Sequence, residues 1–321
     1  MSEQSQRLAN FPASFFGMIM GITGLSIAFL HLSKPFPDLT WVAYLNLGLA
    51  VVLMMILSLV YLLKLIRHFP AVKAEMKHPV KMNFVPAISI SMLLLSIAFY
   101  AIEQTQFSYW LWTVGAALQI SLTYWVLYNW VHHDHFTPDH SNPAWFIPIV
   151  GNIIVPIAGV HHAPLELNWF FFSVGLVFWI VVKSILVNRI IFHAPMPARL
   201  IPTLFIFIAP PAVGFISYLA LNDHQVNQFA MILYFFAIAV TLLMLVSVPK
   251  FVQLDFALSW WAFTFPVAAM VIASYQMSTY SGQMFYQWIG YGLHALLTLF
   301  IVYLGYKTAV AVMHKKVCVD H

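Results

Sequence analysis

The chain has 321 residues, of which 62% are hydrophobic and 7% charged, and its mean hydropathy is +0.86. A soluble globule carries roughly 25% charged residues to keep its surface hydrated; a chain this poor in charge must turn most of its surface to lipid, which excludes a soluble fold. The one cysteine, Cys318, excludes a disulfide framework and a zinc cluster of thiolates. The net charge of +4 reads as membrane topology, and no nucleic-acid partner is expected.

In chain order, ten stretches approach the roughly 20 mostly apolar residues that a membrane-crossing helix needs. They are 11–33, 41–63, 83–102, 107–131, 144–160, 168–192, 200–221, 225–248, 256–278 and 285–312. The polar residues 1–10, and the length of the apolar run behind them, argue against a cleavable signal. The fifth stretch is the weakest, interrupted by prolines and by Asn152. With ten crossings, thirteen of the 14 Lys and Arg fall on one side and Lys34 alone on the other. Positive charge marks the cytoplasmic side. Residues 1–10 and 313–321 are therefore expected as cytoplasmic tails around a transmembrane domain over 11–312, in a bacterial inner membrane.

The prolines follow a second pattern. Pro12 opens the first stretch; Pro86 lies in the third, Pro148 and Pro156 in the fifth, Pro202, Pro210 and Pro211 in the seventh, and Pro266 in the ninth. The even-numbered stretches contain none. Pro86, Pro148 and Pro210 recur every 62 residues, and Pro266 follows 56 later, the mark of a repeated helical hairpin. A proline inside a helix removes an N–H and displaces a carbonyl. In lipid that carbonyl must be buried in protein or line a wet cavity. The pattern predicts an all-α integral membrane protein: ten transmembrane helices as five hairpins, an inner ring of five kinked helices forming a pore, and an outer ring of five. Pro86, Pro148, Pro156, Pro210 and Pro266 are the expected kinks.

The apolar segments of the odd-numbered stretches hold no Asp, Glu, Lys or Arg; His31 and Glu103 sit at their far ends. What they offer is small and mildly polar, with Asn152 and Thr264 as candidate pore-lining groups. The spacing of Gly17 and Gly21 allows close helix approach. The cost of dehydration rises with the square of the charge, so a neutral pore favours a monovalent ion over a dianion. Half-helix ends attract anions at N-termini and cations at C-termini, so the sign of the ion stays open on these grounds.

The two candidates for a membrane-embedded ionisable group, Lys183 and His294, lie in even-numbered stretches. Lys183 is expected to snorkel or pair, and His294 to be a hydrogen-bonded packing residue. The histidines His132, His133, His135 and His140 follow the fourth stretch, and His161 and His162 the fifth. A ten-crossing topology places these groups a bilayer apart, which keeps them from sharing a metal site. They are expected in solvated loops, with no metal, haem or other cofactor.

Five stretches carry a family resemblance: Phe-Pro-Ala-Ser-Phe-Phe-Gly-Met-Ile-Met-Gly from Phe11 to Gly21; His-Pro-Val from His78; Asn-Pro-Ala-Trp-Phe-Ile-Pro-Ile-Val-Gly-Asn from Asn142 to Asn152; Ala-Pro-Pro-Ala-Val-Gly from Ala209 to Gly214; and Trp-Trp-Ala-Phe-Thr-Phe-Pro from Trp260 to Pro266. Together they resemble the tellurite-resistance/dicarboxylate transporter family, which includes bacterial TehA proteins, a yeast malate permease and the plant guard-cell slow anion channels. The resemblance runs from the first stretch to the last. It implies a central five-helix pore, a homotrimer with one pore per subunit, and a preference for anions. It also implies a phenylalanine gate in the ninth helix, at Phe265, with Gly17 packed near it, while Phe263 points elsewhere. The plant members carry long cytoplasmic tails that are phosphorylated; the flanks here are short, so that mode of control is not expected.

The leading reading is therefore a passive channel for chloride- or nitrate-like anions and not an enzyme. The second is a carrier of C4-dicarboxylates such as malate, or of tellurite-type oxyanions. The third is a membrane enzyme with metal on the loop histidines.

Overall fold

The computed structural model describes residues 3–132, 136–315 and 317–318, and these form helices and turns without a strand. Ten helices carry the fold: α1 (Phe16–Leu32), α2 (Thr40–Arg67), α3 (Ala87–Ala101), α4 (Thr105–His132), α5 (Ile147–Gly159), α6 (Leu165–Phe192), α7 (Ala209–Leu221), α8 (Gln228–Val246), α9 (Thr264–Ser281) and α10 (Met284–Met313). Counted with the 3-10 turns that lead into them, nine are long and apolar enough to cross a membrane among the described residues. The fifth, Pro143–Gly159, is the shorter exception. Its start is set by Asn142, whose side chain accepts from the Ala144 backbone N–H at 3.0 Å, ahead of Pro143.

Burial sorts the helices into two layers. The apolar windows of the segments containing α1, α3, α7 and α9 are 61–83% buried, whereas those of α2, α4, α6, α8 and α10 are 17–33% buried. Helix α5 is buried at every position except Ile157. The outer helices show water-incompatible faces, with Leu45, Leu59, Val177, Ile232, Leu299 and Val302 all exposed; such a surface is at equilibrium only against hydrocarbon. The buried helices touch in a closed cycle, α1 to α3 to α5 to α7 to α9 and back to α1. Each outer helix packs on the inner helix before it and touches the one after it, with α10 bridging α9 and α1.

Because lipid offers no driving force between apolar helices, close packing and buried hydrogen bonds must join the layers. A Cβ on Gly21 would stand 2.0 Å from Thr264 Oγ1, and one on Gly24 2.7 Å from the Ala268 Cβ, so both glycines are what lets α1 approach α9. Ser26 Oγ donates to the Ala43 carbonyl (2.8 Å), linking α1 to α2. Trp112 Nε1 donates to the Val155 carbonyl (2.9 Å), linking α4 to α5, and Tyr234 Oη to Ser274 Oγ (3.2 Å), linking α8 to α9.

The prolines do not act as the mid-helix kinks expected of them, with one exception. Every buried helix is preceded by a 3-10 segment: Ala13–Phe15, Lys81–Phe84, Pro143–Phe146, Ala198–Ile208 and Leu258–Phe263. Pro86 is the residue just before α3, and Pro148, Pro210 and Pro266 fall in the first turn of α5, α7 and α9. There the fixed φ suits the first turn of the helix. Pro156 alone lies in an α-helix interior. The prolines thus mark where a narrow 3-10 coil widens into an α-helix.

Candidate functional site

Two cavities lie inside the ring, and each is lined by residues from all five buried helices or their 3-10 leads. The first, at the N-terminal ends, includes Gly17, Ala87, Val150, Ala209 and Ala262. The second, toward the C-terminal ends, includes Ile27, Leu94, Ile154, Val213 and Ile272. Contributions from every member of the ring place both cavities on its axis. Each leaves about 60 Å³ to the centres of water-sized molecules, room for several waters.

Among the described residues, Phe265 alone lines both cavities. It sits in the first turn of α9 and is 7% exposed. Its ring lies beside Gly24, where an added Cβ would stand 4.0 Å from Phe265 Cδ2. Gly17 opens on the first cavity, with nothing within 4 Å of the position its Cβ would take. Phe263 points away from the axis into an aromatic cluster, its ring centroid 4.0 Å from that of Phe205 and 5.2 Å from that of Phe300.

The remaining candidate residues divide. Pro266 lines the first cavity, whereas Pro86, Pro148, Pro156 and Pro210 line neither. Asn152 is turned outward: its Nδ2 donates to Thr123 Oγ1 of α4 (2.8 Å) and to the Pro148 carbonyl (3.1 Å), and it lines neither cavity. Thr264 donates to the Trp261 carbonyl (2.7 Å) and presses against Gly21, also off the cavities. Lys183 lies in the outer layer with its Nζ 4.9 Å from the Phe236 ring centroid and 5.3 Å from that of Trp179, a cation–π site. His294 is buried; its Nδ1 is paired with Tyr275 Oη at 2.9 Å, and its ring meets Phe29 at 4.3 Å.

Among the described residues, no Asp, Glu, Lys or Arg lines either cavity. The lining is apolar apart from Ser14 and Ser259 in the first cavity and His31 and Gln276 in the second. Among the described residues, no group of three His, Cys, Asp or Glu side chains is gathered to hold a metal. His162 Nε2 is 2.7 Å from Ser108 Oγ and His161 stacks on Tyr100 at 4.1 Å, while His132 and His140 bond locally on the surface. His133 and His135 lie outside the described residues.

Two polar clusters escaped the sequence reading. At the start of α1, the Glu75 carboxylate accepts from the Ala13 N–H (2.8 Å), Lys64 Nζ (2.6 Å) and Tyr61 Oη (3.3 Å), and Lys64 Nζ also donates to the Phe11 carbonyl (2.7 Å). The available signal was that Glu75 is the single acidic residue among the cations from Lys64 to Lys81. Between α3, α4 and α5, Gln119 accepts from Ser89 Oγ (2.7 Å) and donates to the Pro148 carbonyl (2.9 Å). A glutamine in the middle of a lipid-facing stretch is itself the signal of a buried partner.

Comparison with known proteins fits this geometry. Residues 10–309 match a family described as voltage-dependent anion channel (SLAC1). The chain is similar to an uncharacterized transporter of Methanocaldococcus jannaschii, 26% identical over 94% of both chains. It is also similar to the S-type anion channel SLAH3 of Arabidopsis thaliana, 29% identical over 85% of this chain and 44% of the plant protein. A third relative is the tellurite resistance protein TehA homolog of Haemophilus influenzae, 26% identical over 81% of this chain and 79% of the relative.

Proposed function

Because this chain belongs to the voltage-dependent anion channel (SLAC1) family, we propose that it is a channel for small monovalent anions, chloride- or nitrate-like, conducted along the axis of the helix ring and stopped by Phe265. The observation that carries this reading is that Phe265 lines both cavities of the ring. A ring across a narrow apolar passage excludes water, and an ion cannot cross a dry apolar gap without losing its hydration. The absence of charged side chains from the cavity walls favours monovalent ions, since a dianion pays four times the dehydration.

In this reading Gly17 keeps the first cavity open behind the gate, and the chain crosses the membrane ten times with both ends cytoplasmic, α5 making the short crossing inside the ring. The protein resides in a bacterial inner membrane as a homotrimer with one conduit in each subunit. The experiment is current recording in planar bilayers on the wild type and Phe265→Ala. The substitution is expected to raise anion conductance markedly, and unchanged currents at equal protein content would reject the gate.

A carrier of C4-dicarboxylates or tellurite-type oxyanions is the second reading, favoured by the similarity to the tellurite resistance protein. A malate reversal potential that moves with the proton gradient would select it over the channel.

A further inference from the structure

The cavity beyond Phe265 is apolar on every side but one. Of the side chains that line it, only His31 on α1 and Gln276 on α9 carry hydrogen-bond donors. These two helices pack directly on each other, so the donors come from adjacent staves of the ring. Neither side chain hydrogen-bonds within the protein among the described residues; the shielded, unpartnered atom of Gln276 is its acceptor Oε1, so the donors of both side chains are uncommitted. His31 is placed by packing, 6.4 Å from the Tyr275 ring, and Tyr275 is in turn held by His294 at 2.9 Å.

An unpaired polar group in an apolar chamber is destabilising. Several other hydroxyls of the inner ring avoid this: those of Ser26, Ser91, Ser96, Thr203 and Thr264 are returned to backbone carbonyls. His31 and Gln276 instead keep their donors for whatever occupies the cavity. An ion that has passed Phe265 has shed part of its water and finds aliphatic walls everywhere else.

We infer that His31 and Gln276 form the hydrogen-bonding station for a small monovalent anion in the second cavity, and that they set the preference among such anions. The inference rests on the conducting reading above. A neutral imidazole contributes one N–H and a carboxamide two. The station therefore replaces only part of a hydration shell: it narrows, without erasing, the advantage that a weakly hydrated anion such as nitrate holds over chloride. Without the donors, dehydration alone would rank the ions, so nitrate would gain further on chloride while both conduct less.

The test uses the full-length protein in planar bilayers with the gate removed by Phe265→Ala, and adds His31→Leu, Gln276→Leu or His31→Gln to that background. Chloride and nitrate are the probes. Conductance and the nitrate-to-chloride permeability ratio are read at equal reconstituted protein. Each leucine variant is expected to lower chloride conductance about tenfold, the worth of one hydrogen bond to a charged group, and to raise the permeability ratio. His31→Gln, which keeps a donor, is expected to stay near the parent. Leucine variants with the parent's conductance and ratio would overturn the station and leave the conduit standing. A Phe265→Ala parent without current would overturn the conduit and the station with it. The Gln276→Leu variant keeps the question open to decision should His31→Leu not fold, because each residue is tested alone.

Discussion

Lys64 and Glu75 form a buried ion pair of 2.6 Å, with side chains 3% and 6% exposed, against the first residues that lead into α1. The pair ties three parts of the chain together: the end of α2, the short surface helix Phe69–Lys77, and the 3-10 turn Ala13–Phe15 through the Ala13 N–H. Ser14 of that turn already lines the first cavity and Gly17 follows, so the latch sets the position of the ring's first helix.

Breaking this pair from one side leaves a charge buried without a partner, at a cost of about 3–5 kcal/mol. Glu75→Gln is therefore expected to be strongly destabilising, because the Lys64 ammonium stays buried. The double variant Lys64→Met with Glu75→Gln should be less destabilised than the sum of the two single variants. Thermal unfolding of the detergent-solubilised protein measures all three, and additive losses would show that the two side chains are not coupled.

Two glycines of α1, a single turn apart, should respond in opposite ways to one added methyl group. Gly21→Ala drives a Cβ to 2.0 Å from Thr264 Oγ1 and is expected to cost about 1–3 kcal/mol as an overpacked contact. Gly17→Ala meets nothing within 4 Å and should leave stability unchanged within about 0.5 kcal/mol. The same melting measurement compares them; equal losses would contradict the close α1–α9 approach at Gly21.

Gln119 joins α3, α4 and α5 while fully buried. Gln119→Leu removes its bonds to Ser89 and to the Pro148 carbonyl and is expected to destabilise by about 1–3 kcal/mol. Amide hydrogen exchange should rise first in α5, whose start it secures. A variant with unchanged exchange and melting would show that the Gln119 bonds add no net stability.

Burial holds His161 and His162 below the ordinary histidine value of 6.5, aided by His224 facing His161 and by His161 facing His162. Their folded-state values lie below the unfolded ones, so the unfolded chain binds more protons as the pH falls. Stability from this source is complete above pH 6.5 and is lost as the pH drops through the lowered values. The melting temperature should thus decline from pH 7 toward acid, and less so in His161→Gln with His162→Gln. Parallel pH profiles for the two proteins would refute the assignment.

Much of the architecture was legible in the chain. Hydropathy and charge are local properties, so the membrane class and the outer helices with their lipid faces could be read directly. The proline alternation separated buried from lipid-exposed helices, because proline is tolerated only where neighbours or helix ends absorb its missing N–H. The length of α5 was also foreshadowed by the weakness of the fifth stretch. At the candidate site the family resemblance pointed to Phe265 and Gly17, and both line the first cavity.

The sequence alone determined which segments meet lipid and which are shut inside, since composition and proline content act within one helix. Only the tertiary structure decided which way each side chain faces. Asn152 turned from the axis toward Thr123, Thr264 filled the space left by Gly21, and His31 and Gln276 came to share one cavity. Those outcomes depend on how each helix is rotated about its own axis. That rotation is fixed by packing against partners distant in the chain, such as Gly24 on Ala268 and Gln119 on Pro148.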